Sequence, residues 1–213
     1  NSGDSIYIQT LKNNGEIAKG IHASNPTIYS VTGLVREQSV IGGRGKEEQS
    51  QDSVATVYGT TVDYVARKFF ANLDKMSVIE NLTTEQVEEI IGKVPNLTTS
   101  DTLVICKSLQ GVVKELDKKN PLGYKIYSDI PYLIGKFKDR QNLPILIGGQ
   151  IDLLVEDQNG NLHIIDLKTS KDVIERVSSR YQQQLALYKA IIEQNSGAKV
   201  VETSLLVFHT GLN

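Results

Sequence analysis

Two apolar runs, from Ile151 to Val155 and from Leu162 to Leu167, are separated by Glu156-Asp157-Gln158-Asn159-Gly160-Asn161. An Asn-Gly pair readily takes the positive φ angles of a tight turn, so this segment predicts a β-hairpin. Side chains alternate between faces of a strand. Leu162, Ile164, Asp166 and Lys168 therefore share one face, and His163, Ile165 and Leu167 share the other. The first face changes from apolar to charged along its length. Buried charge persists only when it is paired or bound to a metal. Asp152 stands on the neighbouring strand, so the end of the hairpin gathers two carboxylates and an amine.

A hard cation resolves that conflict. Mg²⁺ and Mn²⁺ favour carboxylate, carbonyl and water oxygens, and soft ligands are scarce, with one cysteine and three histidines in 213 residues. An ion held by Asp152 and Asp166 against a phosphate oxygen would let water attack phosphorus. Lys168 would orient that water or stabilise the developing negative charge, giving hydrolysis without a covalent intermediate.

Gly149-x-x-Asp152, Asp166-x-Lys168-Thr169 and Gln184-x-x-x-Tyr188, in this order, resemble the motifs of the RecB-like branch of the PD-(D/E)XK nuclease superfamily. That branch includes phage-type exonucleases and the mitochondrial genome maintenance exonuclease. The resemblance implies an α/β, restriction-endonuclease-like fold with a mixed central sheet flanked by helices. It implies Asp152 and Asp166 as metal ligands, the Leu167 carbonyl as a third, and Lys168 as the catalytic lysine. Gln184 and Tyr188 would line the site from the following helix, and their spacing of four residues independently puts them on one helical face.

Two further segments are similar to family features. Gly59-Thr60-Thr61-Val62-Asp63 resembles a helix-start motif that commonly ends in a histidine ligand. Asp63 stands at that position, either as a further metal ligand or as an acid capped or paired beside a buried face. Ser30-Val31-Thr32-Gly33-Leu34 is similar to the serine and threonine segment that opens phage-type members. Asp129 either replaces a strand glutamate of the family or is an ordinary strand carboxylate.

The expected activity is that of a Mg²⁺- or Mn²⁺-dependent deoxyribonuclease, an exonuclease acting on single-stranded DNA or duplex ends in replication, recombination or repair. A helicase or replication protein is the expected partner. The alternative is a non-catalytic domain of the same fold that binds nucleic acid or protein, for which the missing helix-start histidine is the hint. RNA is the less favoured substrate, because nothing in the sequence reads a 2′-hydroxyl.

Length and composition set the frame around this site. A chain of 213 residues with 39% hydrophobic residues can form one domain around a real core. The net charge of −2 gives no global attraction to nucleic acid, leaving local clusters at Lys136, Lys138 and Arg140 and at Lys171, Arg176 and Arg180. Cys106, the lone cysteine, excludes an intrachain disulfide framework and the four-cysteine iron–sulfur cluster that some RecB-like nucleases carry. With no apolar run of about 20 residues and no signal-peptide pattern, no membrane is expected. The expected location is intracellular: the cytoplasm of a bacterium or of a phage-infected cell, or an organelle. Asn1 in place of methionine suggests a domain cut from a longer protein.

Coarse periodicity gives the rest. A strand is expected over Ile6 to Thr10, and residues 41–53 read as a polar, glycine-rich mobile loop. That loop is no P-loop, since Glu47 follows Lys46. No ATP-binding motif occurs, so any motor lies elsewhere. Val62, Ala66, Phe69, Phe70 and Leu73 recur at helical spacing from Gly59 onward. Helices also open at Thr84 and Asp101, and residues 77–120 read as a helical insertion walling one side of a DNA channel. Asn81-Leu82-Thr83 and Asn96-Leu97-Thr98 match glycosylation sequons, which the intracellular reading outweighs. Strands are expected over Tyr124 to Leu133 and Leu143 to Ile147, then a helix over Val173 to Asn195 and a strand over Lys199 to His209. His22, His163 and His209 have no metal-binding spacing, and Cys106 reads as core.

Overall fold

The element order is α1 (Ile6–Ser24), β1 (Tyr29–Ser30), α2 (Asp52–Ala71), α3 (Leu73–Met76), α4 (Thr84–Ile91), α5 (Thr99–Lys119), β2 (Tyr124–Tyr127), β3 (Leu133–Lys138), β4 (Pro144–Gly149), β5 (Leu153–Asp157), β6 (Leu162–Ser170), α6 (Ile174–Ser196) and β7 (Val200–His209). This computed structural model describes residues 3–24, 28–34, 52–170 and 174–209, with side chains described over 3–21, 28–34, 59–169 and 181–208.

The expected hairpin is β5–β6, at the centre of a four-stranded sheet ordered β2-β5-β6-β7. β2 and β6 run antiparallel to β5, and β7 runs parallel to β6 after the α6 crossover. β1, β4 and β3 form a separate three-stranded sheet, parallel at β1–β4 and antiparallel at β3–β4. The fold is mixed α/β and restriction-endonuclease-like, with its strands divided between two mixed sheets instead of one.

The turn of the hairpin departs from a two-residue Asn-Gly connection. Gly160 has φ +75°, whereas Asn159 is not among the positive-φ residues. Asp157 organises the turn, its Oδ1 accepting from the backbone N–H of Asn159 at 2.8 Å and of Asn161 at 2.9 Å. Such side-chain-to-backbone bonds are the means by which aspartate fixes turns.

Alternation along β5 and β6 builds two cores. Leu153, Val155, Ile165 and Leu167 face α2, α4 and α5, meeting Phe69, Val87 and Leu109. Leu154, Leu162 and Ile164 face the other way, meeting Ile8 and Leu11 of α1 and Ile191 and Ile192 of α6. Residues 77–120 thus contribute their inner faces to a shared core. The threonines of both sequons serve as helix N-caps: Thr83 in a capping box with Gln86 and Thr98 in one with Asp101.

Three further expectations need correction. Ile6 to Thr10 belongs to a helix, because Ile8, Leu11, Gly15 and Ala18 are buried at helical spacing. The segment Tyr124 to Leu133 is two strands broken at residues 128–132, where Pro131 can donate no ladder hydrogen bond. Asp129 lies in that break, exposed and 3.3 Å from Lys12, so it is no strand carboxylate. Finally, α2 begins at Asp52, which puts Gly59 inside the helix instead of at its start; residues 41–51 of the proposed loop lie outside the described residues.

β3 is an edge strand, and α6 covers its margin. The Gln194 side-chain amide accepts from Lys136 N at 2.8 Å and donates to Lys136 O at 3.1 Å, while Asn195 Nδ2 donates to Ile134 O at 3.0 Å. No helix among the described residues is long and apolar enough to cross a membrane.

Candidate active site

Where the chain leaves the β5–β6 ladder, side chains replace backbone pairing. Leu153 pairs with Ile165, and just beyond it Leu167 N donates to Asp152 Oδ2 at 2.7 Å. This bond ties the carboxylate that precedes β5 to the middle of β6. Asp166 is 1% exposed. On the same face, Lys168 Nζ lies 2.6 Å from Asp166 Oδ2 and donates to Leu167 O at 3.3 Å. The contact to Asp166 has an ion pair's distance without hydrogen-bond alignment, so the Oδ2 atom is charge-compensated but has no aligned donor.

Helix α6 closes the site over this strand. Gln184 and Tyr188 are both buried on one helical face, with Gln184 Nε2 donating to the Tyr188 hydroxyl at 3.1 Å. Gln184 Oε1 is buried without a partner. Tyr181, one turn earlier on that face, places its ring centroid 5.2 Å from Lys168 Nζ, within cation–π range.

Asp152, Asp166, Leu167, Lys168, Gln184 and Tyr188 share a cleft of about 320 Å³ with Asp63 from α2 and Ser30 to Thr32 at the end of β1. Two glycines form part of its wall. A Cβ on Gly148 would collide with the Tyr132 hydroxyl, and one on Gly149 would come within 2.6 Å of the Tyr188 ring. The Gly148-Gly149 pair thus lets tyrosines close on the backbone from both sides.

Among the described residues, the cleft holds more carboxylates than cations. Burial, with Asp152 adding to it, pushes the Asp166 carboxyl up to about 7 against the pull of Lys168. Burial and then Asp152 likewise raise Asp63 to about 6. For Lys168, burial alone would lower the ammonium pKa, but Asp166 more than offsets this and the net direction is upward. Burial raises the Tyr188 phenol. Among the described residues, these three carboxylates thus face the Lys168 ammonium group, with the Arg67 guanidinium also pulling on Asp63.

The donor set suits a hard divalent cation. Asp63, Asp152, Asp166, the Leu167 carbonyl and the unpartnered Gln184 Oε1 are all oxygens, and among the described residues no histidine or cysteine lines the cleft. Among the described residues no group of three or more His, Cys, Asp or Glu side chains is set close enough to grip an ion unaided. Instead, Lys168 bridges Asp166 Oδ2 and Leu167 O, two of the oxygens that the resemblance assigns to metal.

All the sequence-derived site residues therefore meet in one place: Asp63, Asp152, Asp166, Leu167, Lys168, Gln184 and Tyr188. The serine and threonine segment joins them. Tyr132 and Tyr181 went unnoticed in sequence. Only Tyr181 carried a signal, its place three residues before Gln184 on the same helical face. Other candidates stand apart. Cys106 is fully buried in α5, and burial pushes its thiol up to about 12, which excludes a ready nucleophile. His163 contacts Glu202 at 3.2 Å on the opposite side of β6. The side chains of His22, His209, Lys171, Arg176 and Arg180 lie outside the described residues.

Comparison with known proteins agrees with this architecture. An ATP-dependent helicase/nuclease subunit from Thermoanaerobacter sp. (strain X514) is 30% identical over 137 residues, covering 62% of this chain and 10% of that protein. The corresponding protein of Lysinibacillus sphaericus (strain C3-41) is 25% identical over 200 residues, covering 86% of this chain and 15% of its own length. That of Anoxybacillus flavithermus (strain DSM 21510 / WK1) is 24% identical over 207 residues, covering 86% and 16%. The chain thus spans 10 to 16% of the length of these relatives. The profile of the PD-(D/E)XK nuclease superfamily matches residues 35–211, most of the chain, and with the sheet, the acidic cleft and its lysine this makes the chain a member of that superfamily.

Proposed function

We propose that this domain is a Mg²⁺- or Mn²⁺-dependent deoxyribonuclease that hydrolyses DNA from an end. The observation that carries the reading is the coupling of Asp152, Asp166 and Lys168 through the backbone of Leu167, at the floor of an open cleft. Asp152, Asp166 and the Leu167 carbonyl would hold the ion, with Asp63 facing them from α2. When bound, the ion supplies Lewis acidity toward the phosphate and a lowered pKa for water.

The chain's own groups do the rest. Lys168, which pairs with Asp166, would direct its ammonium group toward the scissile phosphate and stabilise negative charge building on oxygen. Its contact with the Tyr181 ring helps to keep it at the cleft. The Tyr188 hydroxyl accepts from Gln184, which leaves its own proton to donate into the cleft. Because burial raises that phenol's pKa, the proton stays in place at neutral pH. DNA, single-stranded or at duplex ends, is the substrate class, and repair or recombination inside a cell is the setting. The relatives are named as helicase/nuclease subunits, which supports a helicase as the partner that delivers the strand.

A second reading, a domain that binds but does not cleave, is favoured by one observation: the absence, among the described residues, of a ready-made three-acid cluster. End-labelled linear and circular DNA incubated with Mg²⁺ or Mn²⁺, or with EDTA, separates the two. Metal-dependent loss of linear DNA alone, abolished in Asp166→Ala and Lys168→Ala, assigns the exonuclease. Equal background from all three proteins favours the binding domain.

A further inference from the structure

The open face of the three-stranded sheet begins at the cleft. Along β3, Leu133, Gly135 and Phe137 turn to the interior, and Ile134, Lys136 and Lys138 turn outward. Tyr132, one position earlier, falls on the outward side and lies across Gly148, whose cross-strand partner is Ile134. Tyr132 and Gly148 also line the cleft, so the outward row continues the cleft wall.

The row has an amphipathic character that solvation alone does not require. Lys136 and Lys138 are exposed, and their cross-strand partners are Leu146 and Pro144. Lys68, Lys12 and Lys119 elsewhere lie over a ring or beside carboxylates. By contrast, no carboxylate among the described residues comes within ion-pair range of Lys136, Lys138 or the neighbouring Arg140. The Gln194 amide holds the Lys136 backbone on both its N–H and its C=O, which fixes the backbone from which that side chain leaves. Alternate residues of a strand are about 6.6 Å apart, a spacing similar to the backbone repeat of an extended nucleic-acid strand.

We propose that this face is a track for single-stranded nucleic acid. A base stacks on the Tyr132 ring beside the cleft, and Lys136 and Lys138 hold the phosphates that follow. Aromatic surface for bases combined with cations for phosphates is the usual make-up of a single-strand groove. Charge complementarity selects the occupant, since the chain as a whole is net negative at −2 whereas Lys136 and Lys138 pair with no carboxylate among the described residues. The inference rests on the nuclease reading, because it supplies that site's strand.

The test measures binding of a fluorescent oligothymidine in EDTA across a salt series, and Mn²⁺-dependent hydrolysis of bis(p-nitrophenyl) phosphate, which fills only the cleft. The double variant Lys136→Ala/Lys138→Ala is expected to bind about 10-fold more weakly, and to flatten the log-affinity against log-salt slope by ~1.4, at ~0.7 per lost contact. It should hydrolyse the small diester as the unmodified protein does. Tyr132→Ala should weaken oligonucleotide binding by about 10-fold, and Tyr132→Phe, which keeps the ring, should restore it. An unchanged salt slope in the double variant, with the unmodified protein still binding and cleaving, overturns the track and leaves the nuclease reading standing. Competition by polyglutamate as strong as that by oligothymidine also overturns it, in favour of an acidic peptide. An unmodified protein that cleaves neither substrate overturns the nuclease reading, and the track with it.

Discussion

The two faces of the four-stranded sheet hold opposite kinds of interior. Toward α2, α4 and α5 the contacts are apolar, and the buried polar groups of α5 are satisfied: Gln110 Nε2 donates to the Met76 carbonyl at 2.6 Å and the Ile79 carbonyl at 2.9 Å, and Thr102 Oγ1 to the Thr98 carbonyl at 3.0 Å. Toward α6, the same strand β6 carries the buried Asp166–Lys168 ion pair, and Gln184 Oε1 is buried without a partner. A buried polar group without a partner costs about 1–3 kcal/mol. The first face is mainly apolar, although His163 Nε2 is buried there without a hydrogen-bond partner, whereas the second holds buried charge, and a shift of one residue along β6 separates them.

This division can be broken by experiment. The largest effect is expected at Asp166. On the nuclease reading, Asp166→Ala should lower DNA cleavage by ~10³-fold, while Lys168 keeps Asp152 and Asp63 as counter-charges and the fold persists. Cleavage close to that of the unmodified protein would mean that the polar face does no chemistry. Phe69→Ala in the helical core should show the reverse, costing ~3–5 kcal/mol in denaturant unfolding with the turnover of the folded fraction unchanged. A loss of turnover instead would show that the two interiors are coupled.

Smaller effects sharpen the contrast. Asp63→Ala should raise the Mn²⁺ concentration needed for half-maximal activity by ~10-fold, the lower end of what removing a supporting group at a metal site costs. An unchanged titration would remove Asp63 from the site. Thr98→Ala, which deletes the α5 cap, should cost ~1 kcal/mol of stability. It should leave cleavage at its original rate, measured beside a melting curve.

The same contrast explains what was legible in the sequence. Asp152, Asp166 and Lys168 could be read because a local hairpin brings them together, and Gln184 and Tyr188 because one helical turn does. Tyr132 reaches the cleft through β3–β4 pairing and the interruption between β2 and β3 at Pro131, which no local pattern announces. The strand expected near Ile8 failed for a related reason. Gly15 and Ala18 complete the helical stripe of α1, but their smallness hides it, and Gly15 is small because Pro131 packs against it. Asp63 was found on the right element with the wrong boundary, since α2 begins seven residues before Gly59.

The amide of Gln194 stands in for a neighbouring strand. By occupying both hydrogen-bonding groups of Lys136, it removes the row of open valences through which a sheet margin recruits another copy of itself. A single side chain from the helix thereby makes the sheet finite at that border, so self-association by strand addition along β3 is blocked at its middle.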